Sequence, residues 1–65
     1  MKVMVNGKSE ETAEKNVADY VQTTGFNPKS LVVEHNGQVI REELWPITPL
    51  SEGDQLELLS FVGGG

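Results

Sequence analysis

Apolar and polar residues alternate over Met1-Lys2-Val3-Met4-Val5, a two-residue period that predicts a strand. Asn6-Gly7 follows, a pair suited to a two-residue hairpin loop. Such a loop sets Val5 opposite Lys8, Lys2 opposite Glu11 and Met1 opposite Thr12, with Met1, Val3 and Val5 toward the core. The returning strand, Lys8 to Thr12, is nearly all polar and suits a sheet edge that resists aggregation. The same register turns Lys8 and Glu10 toward the core, against their charge. Next, Val17, Tyr20, Val21 and Thr24 recur at helical spacing. Asn16 caps this helix, with Asp19 three residues on, and Gly25 ends it in a left-handed conformation. Phe26 is expected to fold back on Val21.

Asn27-Pro28 is a turn, and Leu31 to His35 is a strand. Asn36-Gly37 makes a second tight hairpin into Gln38-Val39-Ile40, with Leu31, Val33 and Ile40 on one face. Arg41 to Trp45 predicts one helical turn stopped by Pro46. Ser51 to Asp54 is a turn, and Gln55 to Val62 alternates as a last strand before Gly63-Gly64-Gly65.

Two hairpins thus flank one helix whose single apolar stripe must lie on one face of one sheet. A right-handed crossover then joins the first hairpin to the later strands. The fold class is α+β: a mixed five-stranded sheet packed against one helix, the β-grasp arrangement of ubiquitin-like proteins. There the first and last strands pair in parallel at the sheet centre. Residues 1–62 form the domain and 63–65 a flexible glycine tail.

At 65 residues the chain holds one small domain. The absence of cysteine excludes a disulfide scaffold, thiol catalysis and thiolate metal sites, and it suits a reducing, cytoplasmic compartment. Apolar runs are far too short to span a bilayer, and no signal peptide is expected. Ten acidic residues against five basic ones give a net charge of −5, which phosphate backbones repel, so neither nucleic acid nor membrane is an expected partner.

No catalytic set emerges. His35 stands beside a hairpin turn and reads as a solvated bystander. Glu10-Glu11 and Glu42-Glu43 read as solvated charge. No spacing suggests a metal site, and no glycine loop that could cradle phosphate precedes a helix. The unusual feature is the run of glycines after an alternating strand. Without side chains it can thread a narrow channel and bring a carboxylate to a partner's active site.

The Val5-Asn6-Gly7 start, Arg41-Glu42 with Trp45, and Leu50 with Gly53-Asp54 lead into Glu57-Leu58-Leu59 and Val62-Gly63-Gly64-Gly65. Together they resemble the ThiS family, the ubiquitin-like sulfur carriers of thiamine biosynthesis, over nearly the whole chain. The resemblance implies a protein co-substrate rather than an enzyme. An E1-like (ThiF-like) adenylating enzyme would use ATP to activate Gly65, and a persulfide donor would leave a C-terminal thiocarboxylate. A ThiG-like thiazole synthase would then take the sulfur. No cofactor is bound in this scheme, and the carrier alone is a monomer. The alternatives are the small subunit of molybdopterin synthase, with the same fold and tail, and a β-grasp interaction or modifier module.

In the last strand, Leu56, Leu58, Ser60 and Val62 alternate with Gln55, Glu57, Leu59 and Phe61. The first set is expected to begin in the core. The second begins in water but continues with two large apolar residues just before the glycines. Leu59, Phe61 and the adjoining Val62, joined by Met4 on the neighbouring strand, are therefore the candidate partner-binding residues, with Gly63 and Gly64 as the tail and Gly65 as the modified residue.

Overall fold

Val3, Val17, Val33 and Leu56 are wholly enclosed. Each comes from a different element, and Val17, Val33 and Leu56 share one core cluster. The structure is a computed structural model that describes residues 1–61. Its strands are β1 (Lys2–Val5), β2 (Lys8–Glu11), β3 (Leu31–His35), β4 (Gln38–Ile40) and β5 (Gln55–Ser60), with one α-helix, α1 (Val17–Thr24). They form one sheet in the order β2-β1-β5-β3-β4. The central pair β1/β5 is parallel, with Met4 beside Gln55 and Val5 beside Leu56, and the other pairs are antiparallel. This is the expected β-grasp sheet.

Both Asn-Gly pairs form the expected hairpin turns. Asn6 and Asn36 have φ 51°, and Gly7 and Gly37 have φ 82° and 86°. Positive φ at both central positions matches the right-handed twist of the flanking strands. The first hairpin has the expected register, Lys2 opposite Glu11 and Val5 opposite Lys8. Its second strand ends at Glu11, one residue early, although the Thr12 amide still donates to the Met1 carbonyl at 2.8 Å. Every residue of β2 is exposed. Lys8 and Glu10 therefore escape the conflict the register set up, because β2 lies at the sheet edge, outside the helix-covered core.

Helix α1 begins where expected. The Asn16 side chain accepts from the Asp19 amide at 2.8 Å, and Gly25 closes the helix at φ 80°. Val17, Tyr20 and Val21 form its buried stripe, packed on Leu31, Val33, Leu56 and Leu58. Fully burying such aliphatic side chains contributes about 1.5–3 kcal/mol each. Phe26 lines an open groove together with Val21 and stays 43% exposed there. Thr24 Oγ1 accepts from the Phe26 amide, and Asn27 caps the next short turn at once.

Pro46 does not stop the segment that contains Trp45. A 3-10 helix runs over Glu42–Ile47 with Pro46 inside. The Leu44 amide donates to Arg41 and the Thr48 amide to Trp45, so the turns close around Pro46 without needing an N–H from it. Trp45 is buried, and its indole N–H donates to the Ile40 carbonyl at 2.9 Å. The last strand also stops short of the expected Val62, ending at Ser60.

Candidate functional site

The end of β5 is the part of the fold from which the glycine run departs. Its backbone is held from both sides. On one side the Asn6 amide donates to the Leu56 carbonyl at 2.9 Å, and the Asn6 side chain pairs with both backbone groups of Leu58. On the other, β3 runs antiparallel from Leu31 beside Ser60 to His35 beside Leu56. The Phe61 amide donates to the Ser30 carbonyl at 2.7 Å, so the anchoring reaches the last described residue. Val62, Gly63, Gly64 and Gly65, each assigned a role from the sequence, lie outside the described residues.

The alternation along β5 divides its side chains as expected at first. Leu56 and Leu58 are buried under the helix, and Gln55 and Glu57 are exposed. Ser60, on the inward set, is exposed because the core ends before it. Leu59 and Phe61 face solvent at 54% and 59% exposure, large values for apolar residues so close together. Val32, half-buried, lies directly across from Leu59 on β3. Met4 is half-buried on the same outer face but stands beside Gln55, so the Glu57 position separates it from Leu59 along β5. The sheet thus brings Leu59, Phe61 and Val32 together and sets Met4 apart.

His35 is not a solvated bystander. Its Nε2 lies 2.7 Å from Asp54 Oδ2, and both side chains are largely enclosed. Asp54 also accepts from the Ser51 amide at 2.9 Å and from Asn36 Nδ2 at 3.2 Å. Burial alone would push the Asp54 carboxyl up. The hydrogen bonds from His35, Ser51 and Asn36 and the charge of His35 outweigh it and hold the group below its ordinary value. Asn36 then closes the circuit: its amide donates to the Gln55 carbonyl at 2.8 Å and its Oδ1 accepts from the Gln55 amide at 2.9 Å. This cluster ties the turn before β5 to the β3–β4 hairpin. It fixes where β5 starts.

Sequence reasoning missed this fastening role for Asn6, Asn36, His35 and Asp54. The Asn-Gly pairs announced turns, but their side chains reach a strand 19 and 52 residues away. Among the described residues, no three His, Asp or Glu side chains converge to hold a metal. No helix among the described residues is long and apolar enough to cross a membrane.

The sequence is 27% identical over 66 residues to a protein named thiazole synthase from Paramagnetospirillum magneticum, and 32% identical over 66 residues to one of the same name from Magnetococcus marinus. Both matches cover 100% of this chain but only 20% of those proteins, so the chain spans about a fifth of their length. A crystal structure of the thiamine biosynthesis protein ThiS from Geobacter metallireducens superposes with a TM-score of 0.84 at 32% identity, covering 100% of both chains. The model of the ThiS family matches residues 3–65, which takes in the strand-and-turn frame around β5 and the glycine run beyond it. With its β-grasp sheet and this match along almost its entire length, the chain belongs to the ThiS family.

Proposed function

We propose that this chain is a sulfur carrier for thiazole formation in thiamine biosynthesis, with Gly65 as the residue that carries the sulfur. The observation that carries this reading is the junction at Phe61. A strand fastened on both sides ends in a backbone hydrogen bond to Ser30, and the sequence continues directly into Val62-Gly63-Gly64-Gly65. A rigid base followed by residues without side chains suits delivery of a reactive end into a narrow site.

A carboxylate is a poor acyl donor. In the proposed scheme a Gly65 carboxylate oxygen attacks the α-phosphorus of ATP on an E1-like adenylating enzyme, pyrophosphate leaves, and an acyl-adenylate forms. The terminal sulfur of a persulfide then attacks the acyl carbon and AMP departs. A thiol cleaves the resulting acyl disulfide, taking the donor's sulfur into a new disulfide and leaving the thiocarboxylate. The chain is therefore a co-substrate, and ATP belongs to its partner. The two relatives named thiazole synthase, each containing a segment like this one, support a thiazole synthase as the acceptor. The exposed Leu59 and Phe61 are the contacts by which the domain docks while the glycines reach inward.

The test is intact-protein mass spectrometry after incubation with the adenylating enzyme, ATP and a persulfide donor. The chain gains the mass difference between sulfur and oxygen, located at Gly65, and an alanine appended after Gly65 abolishes the gain. Thiolation of the extended variant at the parent's rate overturns the reading, as does a natural chain that continues past Gly65.

A further inference from the structure

Glu34 on β3 and Glu57 on β5 stand directly opposite one another. Their chain neighbours Val33 and Leu58 are buried, so both carboxylates project from the outer, helix-free face. Like charges at facing positions weaken a sheet, and neither carboxylate forms an ion pair among the described residues. The ion pairs among the described residues join the N-terminus to Glu11, Lys29 to Glu42, His35 to Asp54 and Arg41 to Glu43. Their cross-strand neighbour on the other side of Glu34 is Val39, 65% exposed. One step toward the glycine run, the next outward row is Val32 and Leu59, with Phe61 beyond it. A repulsive pair therefore borders the apolar docking surface, at positions where glutamine would remove the repulsion and keep the shape. A sequence that breaks a local rule of this kind commonly does so for binding.

We propose that Glu34 and Glu57 together receive an arginine of the thiazole synthase when Leu59 and Phe61 dock. An arginine fits better than a lysine. Its planar fork can donate to two carboxylates at once, and its flat face can lie against the adjoining Val32–Leu59 row. The net charge of −5 favours a basic partner surface as well. The pair selects the partner and sets the register of docking, and the apolar residues supply contact area. This inference rests on the docking role given to Leu59 and Phe61 above, and it adds the partner's chemistry.

The test is a calorimetric titration of the same organism's thiazole synthase, and in parallel of its adenylating enzyme, with the parent chain, the Glu34→Gln/Glu57→Gln double variant and Phe61→Ala. The double variant binds at least about ten-fold more weakly at low salt, and the gap closes at about 0.5 M salt, where charges are screened within a few ångströms. It melts at or above the parent's temperature, since the repulsion is gone. Equal affinity and equal salt dependence of the double variant and the parent overturn the arginine contact. If Phe61→Ala alone weakens binding, the docking surface stands without it; if Phe61→Ala also binds like the parent, the docking role itself fails. A loss confined to the adenylating enzyme overturns the assignment to the synthase.

Discussion

The side-chain amide of Asn6 pairs with both backbone groups of Leu58: its Oδ1 accepts from the Leu58 amide at 2.7 Å and its Nδ2 donates to the Leu58 carbonyl at 3.3 Å. A turn residue thus continues the parallel ladder past the end of β1, where the backbone has already turned away into the hairpin. Without it, one side of β5 would be open at Leu58, three residues before Phe61.

Asn6→Gly isolates that role, because glycine accepts the positive φ of the turn and removes only the side chain. Two hydrogen bonds at about 0.5–1.5 kcal/mol each predict a loss of about 1–3 kcal/mol. A domain of this size loses about 4–8 °C in Tm per kcal/mol. Thermal unfolding followed by circular dichroism reads the loss directly, and an unchanged melting temperature refutes the role.

The two asparagines also mark the boundary of what the sequence discloses. Hairpins, the capped helix, the sheet and the solvent position of Leu59 and Phe61 follow from local patterns of period two or 3.6 and from turn chemistry. The side-chain bonds of Asn6 to Leu58 and Asn36 to Gln55 span the fold, and no local pattern encodes them. His35 looked solvated for the same reason, since its partner Asp54 arrives from a turn 19 residues later. Pro46 misled because the rule that proline stops a helix describes α-helical bonding, whereas a 3-10 segment closes one turn at a time.

The Asp54 clamp makes stability fall with acid. Its carboxyl is held below the ordinary 3.8 in the folded chain, so folding favours the ionised form. The stabilisation is fully present above pH 3.8 and is lost as pH falls through the lower folded value. Urea unfolding of the parent and of Asp54→Asn, measured at neutral pH and at successively lower pH, shows a stability gap that narrows below pH 3.8. A gap of constant size down to the acid limit contradicts the clamp.

Tyr20 gives the complementary alkaline signature. Burial first, and then the negative charge of Glu10 on β2, raise its hydroxyl above the ordinary 10.0. Folding therefore favours the protonated phenol, and this stabilisation is complete below pH 10.0 and lost as pH rises through the higher folded value. Ultraviolet titration of the phenolate follows it directly. Glu10→Gln lowers the midpoint toward 10.0 without abolishing the shift, because burial is the larger cause. A midpoint that does not move on Glu10→Gln removes Glu10 from the account.

Phe61→Ala separates docking from folding. Phe61 is 59% exposed, and its backbone bond to Ser30 does not involve the ring. Truncation should therefore change stability by no more than about 0.5 kcal/mol, the usual range for surface substitutions. An aromatic anchor buried in a partner contributes about 2 kcal/mol or more, which is roughly a thirty-fold change in Kd. Leu59→Ala acts in the same direction, because Leu59 shares the exposed face. Met4→Ala has the smaller effect on binding, since the Glu57 position stands between Met4 and that patch. Affinity for the thiazole synthase and the adenylating enzyme, measured beside the melting temperature of each variant, distinguishes the two roles. Weaker binding at an unchanged melting temperature identifies Phe61 as an anchor, whereas a matching fall in both assigns the ring to the fold.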